Sequence, residues 1–279
     1  MTAWASRGDA RGALRDVLVL AALVLWAAPF FWQALTSIKP DTALMAVERL
    51  LAAPPTLDHY RAVVQRSVMP AALANSLGVA ALTTLLALVL GAPGAYALAR
   101  LPVPGKRALL LVVIACTAFP QVTIVGPLFV LMRALELRDT WLALVLADTS
   151  FALPLVLWLV AGFVREVPIA VEEAAQIDGA GRLTTLGRVV LPLIAPGMVS
   201  AGLLVFLMSW NELLFAYTFT ASEASRTVPV ALALFPGVYE VPWGDIAAAS
   251  ILASLPPILI VVGMQRWLVR GLTAGAVRD

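Results

Sequence analysis

The chain is poor in the residues from which reactive sites are built. It has one cysteine, Cys116, and one histidine, His59, in 279 residues. That excludes a disulfide framework, a CxxC pair and any His/Cys cluster with metal-ligand spacing. Cys116 sits within an apolar run, where a buried, inert thiol is expected. Charge is scarce as well: only 13% of residues are Asp, Glu, Lys or Arg, and the net charge is +2. The basic residues occur one to three at a time and form no stripe, so nucleic acid is excluded as a partner. A phosphate-cradling G-x-x-x-x-G-K-[ST] loop is also missing. The one Gly-Lys pair, Gly105-Lys106, lacks the upstream glycine and is followed by Arg107, so nucleotide is not held in the usual way.

What the chain has in abundance is apolar surface. Hydrophobic residues make up 61% of it, and the mean hydropathy is +0.93. A soluble globule is apolar at about half its positions, so this composition belongs in a bilayer. Six stretches approach the roughly 20 residues that cross about 30 Å of hydrocarbon: 16–38, 71–99, 107–133, 140–163, 196–219 and 245–267. Arg7, Arg11 and Arg15 precede the first, as they would a secretory signal. Its apolar run from Val17 to Leu35 is longer than a signal core and no clear cleavage pattern follows, so it is expected to be a span. Lysine and arginine cluster in alternate connections (Arg100, Lys106 and Arg107; Arg165, Arg182 and Arg188), which predicts cytoplasmic N- and C-termini. Trp32, Trp141 and Trp267 fall at span ends, where interfacial indoles settle. Pro93-Gly94, Pro120, Pro127 and Pro256-Pro257 interrupt spans. Such kinks serve either packing or helices that bend around a pathway.

Against this background the segment Glu172-Glu173-Ala174-Ala175-Gln176-Ile177-Asp178-Gly179 is anomalous, since it gathers three carboxylates in seven residues. It lies in the loop from about 165 to 195, between the fourth and fifth spans. Pro168 suits a first helical turn, Glu172 and Glu173 lie near its positive end, and Gly179 is a natural left-handed stop. These signals predict a helix of about eleven residues, roughly 16 Å long, which is too short to cross a membrane. A second short run, Leu183 to Val190, is expected to stop at Leu191-Pro192. Two short helices joined at Gly179–Gly181 make a compact knob suited to a groove on another protein.

The pattern Glu173-Ala174-Ala175, three residues, Gly179, nine residues, Val189, one residue, Leu191-Pro192 resembles the EAA loop of ATP-binding-cassette importer permeases. Valine replaces the usual isoleucine at 189. The run Gln265-Arg266-Trp267-Leu268-Val269-Arg270-Gly271-Leu272-Thr273-Ala274-Gly275 is similar to the tail of the maltose-type carbohydrate permeases, in particular their smaller permease subunit. Asn75-Ser76, Tyr96-Ala97 and Trp210-Asn211-Glu212 extend the likeness over nearly the whole chain. The resemblance implies an all-α membrane protein with the type I ABC importer permease fold, a single transmembrane domain over 1–279 with its core at about 71–267. It implies that the loop couples to an ATPase through Glu172, Glu173, Ala174, Ala175, Asp178, Gly179, Leu191 and Pro192. Within that set Glu173 would pair with a basic ATPase residue, the alanines would allow close approach and Gly179 would make the turn. The tail, 268–279, would reach the ATPase through Gly271, Leu272, Thr273 and Gly275, although it ends in Arg278-Asp279 where lysine-glycine is common. A second permease, two ATPase copies and an extracytoplasmic sugar-binding protein are the implied partners in a bacterial inner membrane. ATP and Mg2+ would sit on the partner ATPase, leaving this chain with no cofactor and no catalytic residue.

Polar side chains inside spans are costly in hydrocarbon and face a cavity or a neighbouring helix. Asn75, Gln121, Asp148, Asn211 and Glu212 are the substrate-pathway candidates, with Trp210 offering an apolar face to a sugar ring. For Asn75 and Gln121 helix-to-helix hydrogen bonding is the favoured reading over ligand contact, which leaves Asn211 and Glu212 as the main pathway candidates. The outer run Val228 to Gly237, apolar and framed by prolines, is either a loop that touches a partner or a re-entrant packing loop. Import of a di- or oligosaccharide is the function implied. Glycerol-phosphate import would call for arginine in the cavity, and an ion-coupled carrier would need paired repeats and a carboxylate relay. With one His and one Cys, no catalytic constellation for an intramembrane enzyme is present.

Overall fold

The computed structural model describes residues 10–44, 47–117, 120–235 and 241–274, and these residues form helices and connections with no strand among them. They fall into two compact units, one drawn from 1–67 and 236–252, the other from 68–235 and 253–279.

In the first unit, α1 (Ala10–Ser37) is the first span, and its apolar window is not buried at all within the chain. Trp26 and Phe31 are more than two-thirds exposed there, a surface suited to lipid. The short helices α2 (Asp41–Leu44), α3 (Val47–Ala52) and α4 (Asp58–Arg66) follow. The amphipathic α4 buries His59 and Val63. The His59 ring is held at both nitrogens, with Nδ1 2.6 Å from Asp245 and Nε2 2.9 Å from the Lys39 carbonyl oxygen. Gly244 is obligatory beside it, because a Cβ there would overlap the imidazole.

The second unit is built on α5 (Met69–Arg100), α8 (Trp141–Glu166) and α12 (Ala195–Trp210). Their shared core is small and β-branched: Ala87, Ala95, Ala152, Ala161 and Ala201 with Val156, Val160 and Val205. Lipid provides no hydrophobic drive between helices, so close van der Waals packing through small residues has to supply the association. Gly91 and Gly94 show this, since a Cβ at Gly91 would overlap Val156 and one at Gly94 would come within 2.7 Å of Leu157. The helices α5 and α8 run unbroken through Pro93 and Pro154, as α15 (Trp243–Ala274) does through Pro256 and Pro257. Since α15 ends at Ala274, the helix also takes in residues 268–274, which the sequence assigns to a tail.

Two of the six expected spans are broken. The third is two helices, α6 (Lys106–Thr117) and α7 (Gln121–Ala134), each too short to cross, with Pro120 extended before the second. Within the expected fifth span, α12 ends at Trp210, and the chain resumes as α13 (Leu214–Phe219). Four described helices are long and apolar enough to cross, or five if the bent pair Arg182–Leu193 and Ala195–Trp210 counts as one. Cys116 is exposed on α6 instead of buried, because the rest of this chain leaves that face uncovered.

Pro192 does not stop the second loop helix. The chain passes from α10 (Arg182–Thr185) through a π turn, Leu186–Val190, into α11 (Leu191–Leu193), and the break comes at Ile194. The wider i→i+5 bonding, with Leu191 N donating to Leu186 O, accommodates the proline ring. The bend between the two arms is 82°.

The run beginning at Val228 forms α14 (Val228–Ala233), with Val228, Val230 and Ala231 buried. It packs on α5, where the Ser76 hydroxyl accepts from Val228 N at 2.8 Å. Residues 228–231 therefore pack within the second unit while Ala233 and Leu234 stay exposed, and Pro236 and Gly237 lie outside the described residues. Asp139, in a left-handed conformation (φ 63°), ties the preceding turn by accepting from Ala221 N at 2.7 Å, Ser222 N at 3.0 Å and the Ser225 hydroxyl. Burial pushes its carboxyl up, but these donors outweigh burial and hold it well below the usual carboxylate range.

Candidate functional site

The loop from about 165 to 195 is built around α9 (Ile169–Ile177), preceded by Pro168 and closed by Asp178. Gly179 has φ 86° and completes a Schellman stop, with Gly179 N donating to Gln176 O and Ala180 N to Ala175 O. The two neighbouring glutamates face opposite ways. Glu172 is buried at 4% exposure and accepts from the Tyr96 hydroxyl at 2.8 Å and from Arg100 Nε at 2.5 Å. Arg100 Nη2 also donates to the carbonyl oxygens of Val164, at 2.7 Å, and of Val167. One guanidinium at the end of α5 thus joins the last turn of α8 to the first turn of α9. A cation suits the exposed carbonyls of a helix C-terminus, and a buried carboxylate needs such a partner. Glu172 is therefore an internal tie and offers no surface to another protein, which corrects its expected place on the coupling face.

Glu173, Ala174, Asp178 and Gly179 are exposed, and Ala175 is half-buried. Ile177 and Leu183 stand 87% and 83% exposed at the tip of the knob. Leu191 packs against the α5–α8–α12 core, and Pro192 is exposed. In the tail, Gly271, Leu272 and Thr273 fall in the last turns of α15, and Gly275 lies outside the described residues.

Within the second unit a cleft of about 260 Å3, counting its open mouth, lies between α5, α7, α8 and α12. Its polar lining is Thr83, Gln121, Asp148, Ser209 and Glu212, and its apolar lining includes Phe151, Val205 and Met208. Ser209 Oγ donates to Asp148 Oδ2 at 2.5 Å, whereas Asp148 Oδ1 and Thr83 Oγ1 are buried without a hydrogen-bond partner among the described residues. Glu212 accepts from the backbone N–H groups of Phe215 at 2.8 Å and Ala216 at 2.9 Å, so it also caps α13.

Three of the six pathway candidates therefore meet: Gln121, Asp148 and Glu212. The other three do not line this cleft. Asn75 donates to the carbonyl oxygens of Glu223 (3.2 Å) and Arg226 (2.8 Å), clamping the turn before α14. Trp210 is buried and stacks on Phe206 with ring centroids 5.8 Å apart. Asn211 is exposed and folds back on Leu207 O at 2.8 Å. Sequence reasoning missed Thr83, Ser209, Phe151 and Met208, yet a signal existed for three of them. Asp148 and Phe151 are three apart, and Val205, Met208, Ser209 and Glu212 fall at i, i+3, i+4 and i+7, one helical face continued past the end of α12. It also missed the roles of Tyr96 and Arg100, for which no local signal exists.

A family model described as the binding-protein-dependent transport system inner membrane component matches residues 87–274. The chain belongs to this family. The permease is 42% identical over 268 residues to the trehalose transport system permease protein SugB of Mycobacterium tuberculosis, covering 95% of this chain and 96% of that one. It is 36% identical over 272 residues to the trehalose/maltose transport system permease protein MalG of Thermococcus litoralis, covering 95% and 98%. The sulfoquinovosyl glycerol transport system permease protein SmoH of Agrobacterium fabrum is 38% identical, covering 95% and 93%. In fold, the permease matches a chain of a bacterial ABC transporter involved in importing the acidic polysaccharide alginate, with TM-score 0.77, 22% identity and coverage of 95% and 99%. It is thus a multi-pass inner-membrane permease of the ABC importer fold, and a separate ATPase hydrolyses the ATP.

Proposed function

We propose that this permease forms, with a second permease chain, the path by which an ABC importer brings a di- or oligosaccharide into the cell, a trehalose- or maltose-type sugar in particular. Both termini are cytoplasmic, two ATPase copies sit beneath the permeases, and an extracytoplasmic sugar-binding protein delivers the cargo. ATP and Mg2+ bind the ATPase. The observation that carries the reading is the α9 knob, whose outer face presents Glu173, Ala174 and the bare Ile177 while its inner face is tied by Glu172 to α5 and α8. A bare apolar tip next to an exposed carboxylate suits a groove on a partner that is lined by apolar residues and carries a basic residue for Glu173. Gly271, Leu272, Thr273 and Gly275 make a second contact with the ATPase.

Closure of the ATPase dimer then moves the knob, and the Arg100 junction makes α5 and α8 move with it. The bundle swings as a rigid body, and the path changes the side to which it opens. Copurification with its partners, followed by proteoliposome uptake of labelled trehalose and maltose, tests this reading. Uptake should need ATP and the binding protein and should survive an ionophore. Uptake indifferent to ATP and abolished by the ionophore would instead establish an ion-coupled carrier, and transport of glycerol phosphate in place of sugars would establish the phosphate-ester reading.

A further inference from the structure

Resting on the sugar-import reading, we propose that the cleft around Thr83, Asp148 and Ser209 is a cargo subsite supplied by this chain, one that takes uncharged hydroxyl-rich sugar and rejects anionic sugar.

The cleft is polar where the membrane makes polarity expensive. Thr83 is fully buried and Asp148 is 8% exposed, yet Thr83 Oγ1 and Asp148 Oδ1 have no hydrogen-bond partner. Buried polar atoms are nearly always paired. Of the four buried side-chain atoms without a partner among the described residues, Thr149 Oγ1 and Thr227 Oγ1 lie outside the cleft, and the two that line it face one cavity in which a third molecule can complete the bonding. Ser209 holds the other oxygen of Asp148 at 2.5 Å, which fixes the carboxyl and leaves its second oxygen free for a visitor. The Gln121 amide adds a donor and an acceptor. Phe151 and Met208 supply the apolar face that a sugar ring presents its C–H groups against. Hydroxyl groups both donate and accept, so they satisfy a carboxyl, a threonine and an amide together.

Among the described residues, no lysine, arginine or histidine lines the cleft. A carboxylate, sulfonate or phosphate entering it would lose its hydration and find no cation, and an unpaired buried charge is costly. The charge of the cargo is therefore selected here as well as at any earlier step. Asp148 stands about 27 Å along α8 from the end that leads into the coupling loop, so the subsite occupies the part of the bundle remote from the knob.

The test uses the permease in complex with its permease partner and ATPase in lipid nanodiscs, without the binding protein. Calorimetry or saturation-transfer NMR would measure binding of trehalose, maltose and cellobiose against a disaccharide carrying glucuronic acid. The neutral sugar that the importer carries should bind at least tenfold more tightly than the uronic-acid disaccharide. Thr83→Val removes an orphaned hydroxyl and should leave the melting temperature unchanged while weakening that sugar about fivefold. Asp148→Asn should weaken it about tenfold. Equal binding of the neutral and acidic sugars, or an affinity unmoved by both substitutions, would overturn the subsite. ATP-driven uptake in proteoliposomes separates the two failures: uptake that persists with unmoved affinities sinks the subsite alone, whereas no uptake of any neutral sugar sinks the import reading with it.

Discussion

Glu172→Ala is the sharpest probe of how the α9 loop is held. The substitution leaves the Tyr96 hydroxyl without its acceptor and strips the carboxylate from Arg100, whose side chain is 12% exposed. Breaking a buried ion pair from one side costs about 3–5 kcal/mol. Arg100 keeps its bonds to Val164 O and Val167 O, so the lower end, about 3 kcal/mol, applies. The loss should fall on α9 as local opening, because the α5–α8–α12 core does not depend on Glu172. At 1.4 kcal/mol per factor of ten, α9 amides should exchange with deuterium about 100-fold faster, while amides at the centre of α8 keep their rates. Glu172→Gln retains one acceptor for Arg100 and should give a smaller change, about tenfold, in the same amides. In the assembled importer, ATP turnover should continue while sugar moved per ATP falls, since the ATPase would then turn a loosened knob. Unchanged exchange over Ile169–Ile177 in the alanine variant would refute the tie, and an unchanged sugar-to-ATP ratio despite faster exchange would refute its part in transmission.

Burial alone would lower the His59 pKa, but its hydrogen bonds to Asp245 and the Lys39 carbonyl, with the charges of Asp41 and Asp245, raise it. The stabilisation is thus fully present below the unfolded value of about 6.5 and fades as pH rises through the folded value. Melting temperature should fall between pH 6 and pH 9 in the parent, and the slope should flatten in His59→Gln. For Asp139 the sign reverses: its tie is complete above the unfolded value of about 3.9 and is lost only in stronger acid, so Asp139→Asn should loosen residues 220–226 in exchange experiments at neutral pH. Asn75→Ala should leave two carbonyl groups unpaired, cost about 1–2 kcal/mol and raise protease sensitivity near Glu223. Gly179→Ala places a side chain at φ 86°, which costs about 1 kcal/mol, and should weaken ATPase copurification without altering the core.

The short helix α9 was legible because its limits are set locally. Pro168 and Gly179 fix it, and the expected eleven residues shrink only to the nine of Ile169–Ile177. The broken third span was not legible, since hydropathy runs on across Pro120, and a proline signals a kink as readily as a break. Pro192 misled for a related reason, because a π turn three-dimensionally absorbs what a strict α pattern cannot. Glu172 and Glu173 look alike in sequence, but adjacent residues lie about 100° apart around a helix, so one can face Arg100 while the other faces out. Their sorting depends on a partner 72 positions away, and no window along the chain contains it. The intramembrane polar residues were legible as anomalies by their cost. Which of them converge is decided by how α5, α7, α8 and α12 pack.

The 82° elbow at Ile194 has a geometrical corollary. One arm, Arg182–Leu193, belongs to the loop, and the other carries Ser209 near its far end, about 22 Å from the pivot. A turn of about 5° at the pivot sweeps that hydroxyl through about 2 Å, enough to part it from Asp148. In a rigid-body swing α12 travels with α8 and the bond stays closed; only flexing at the elbow itself would open it, so the state of that one hydrogen bond distinguishes a bundle that turns whole from one that bends.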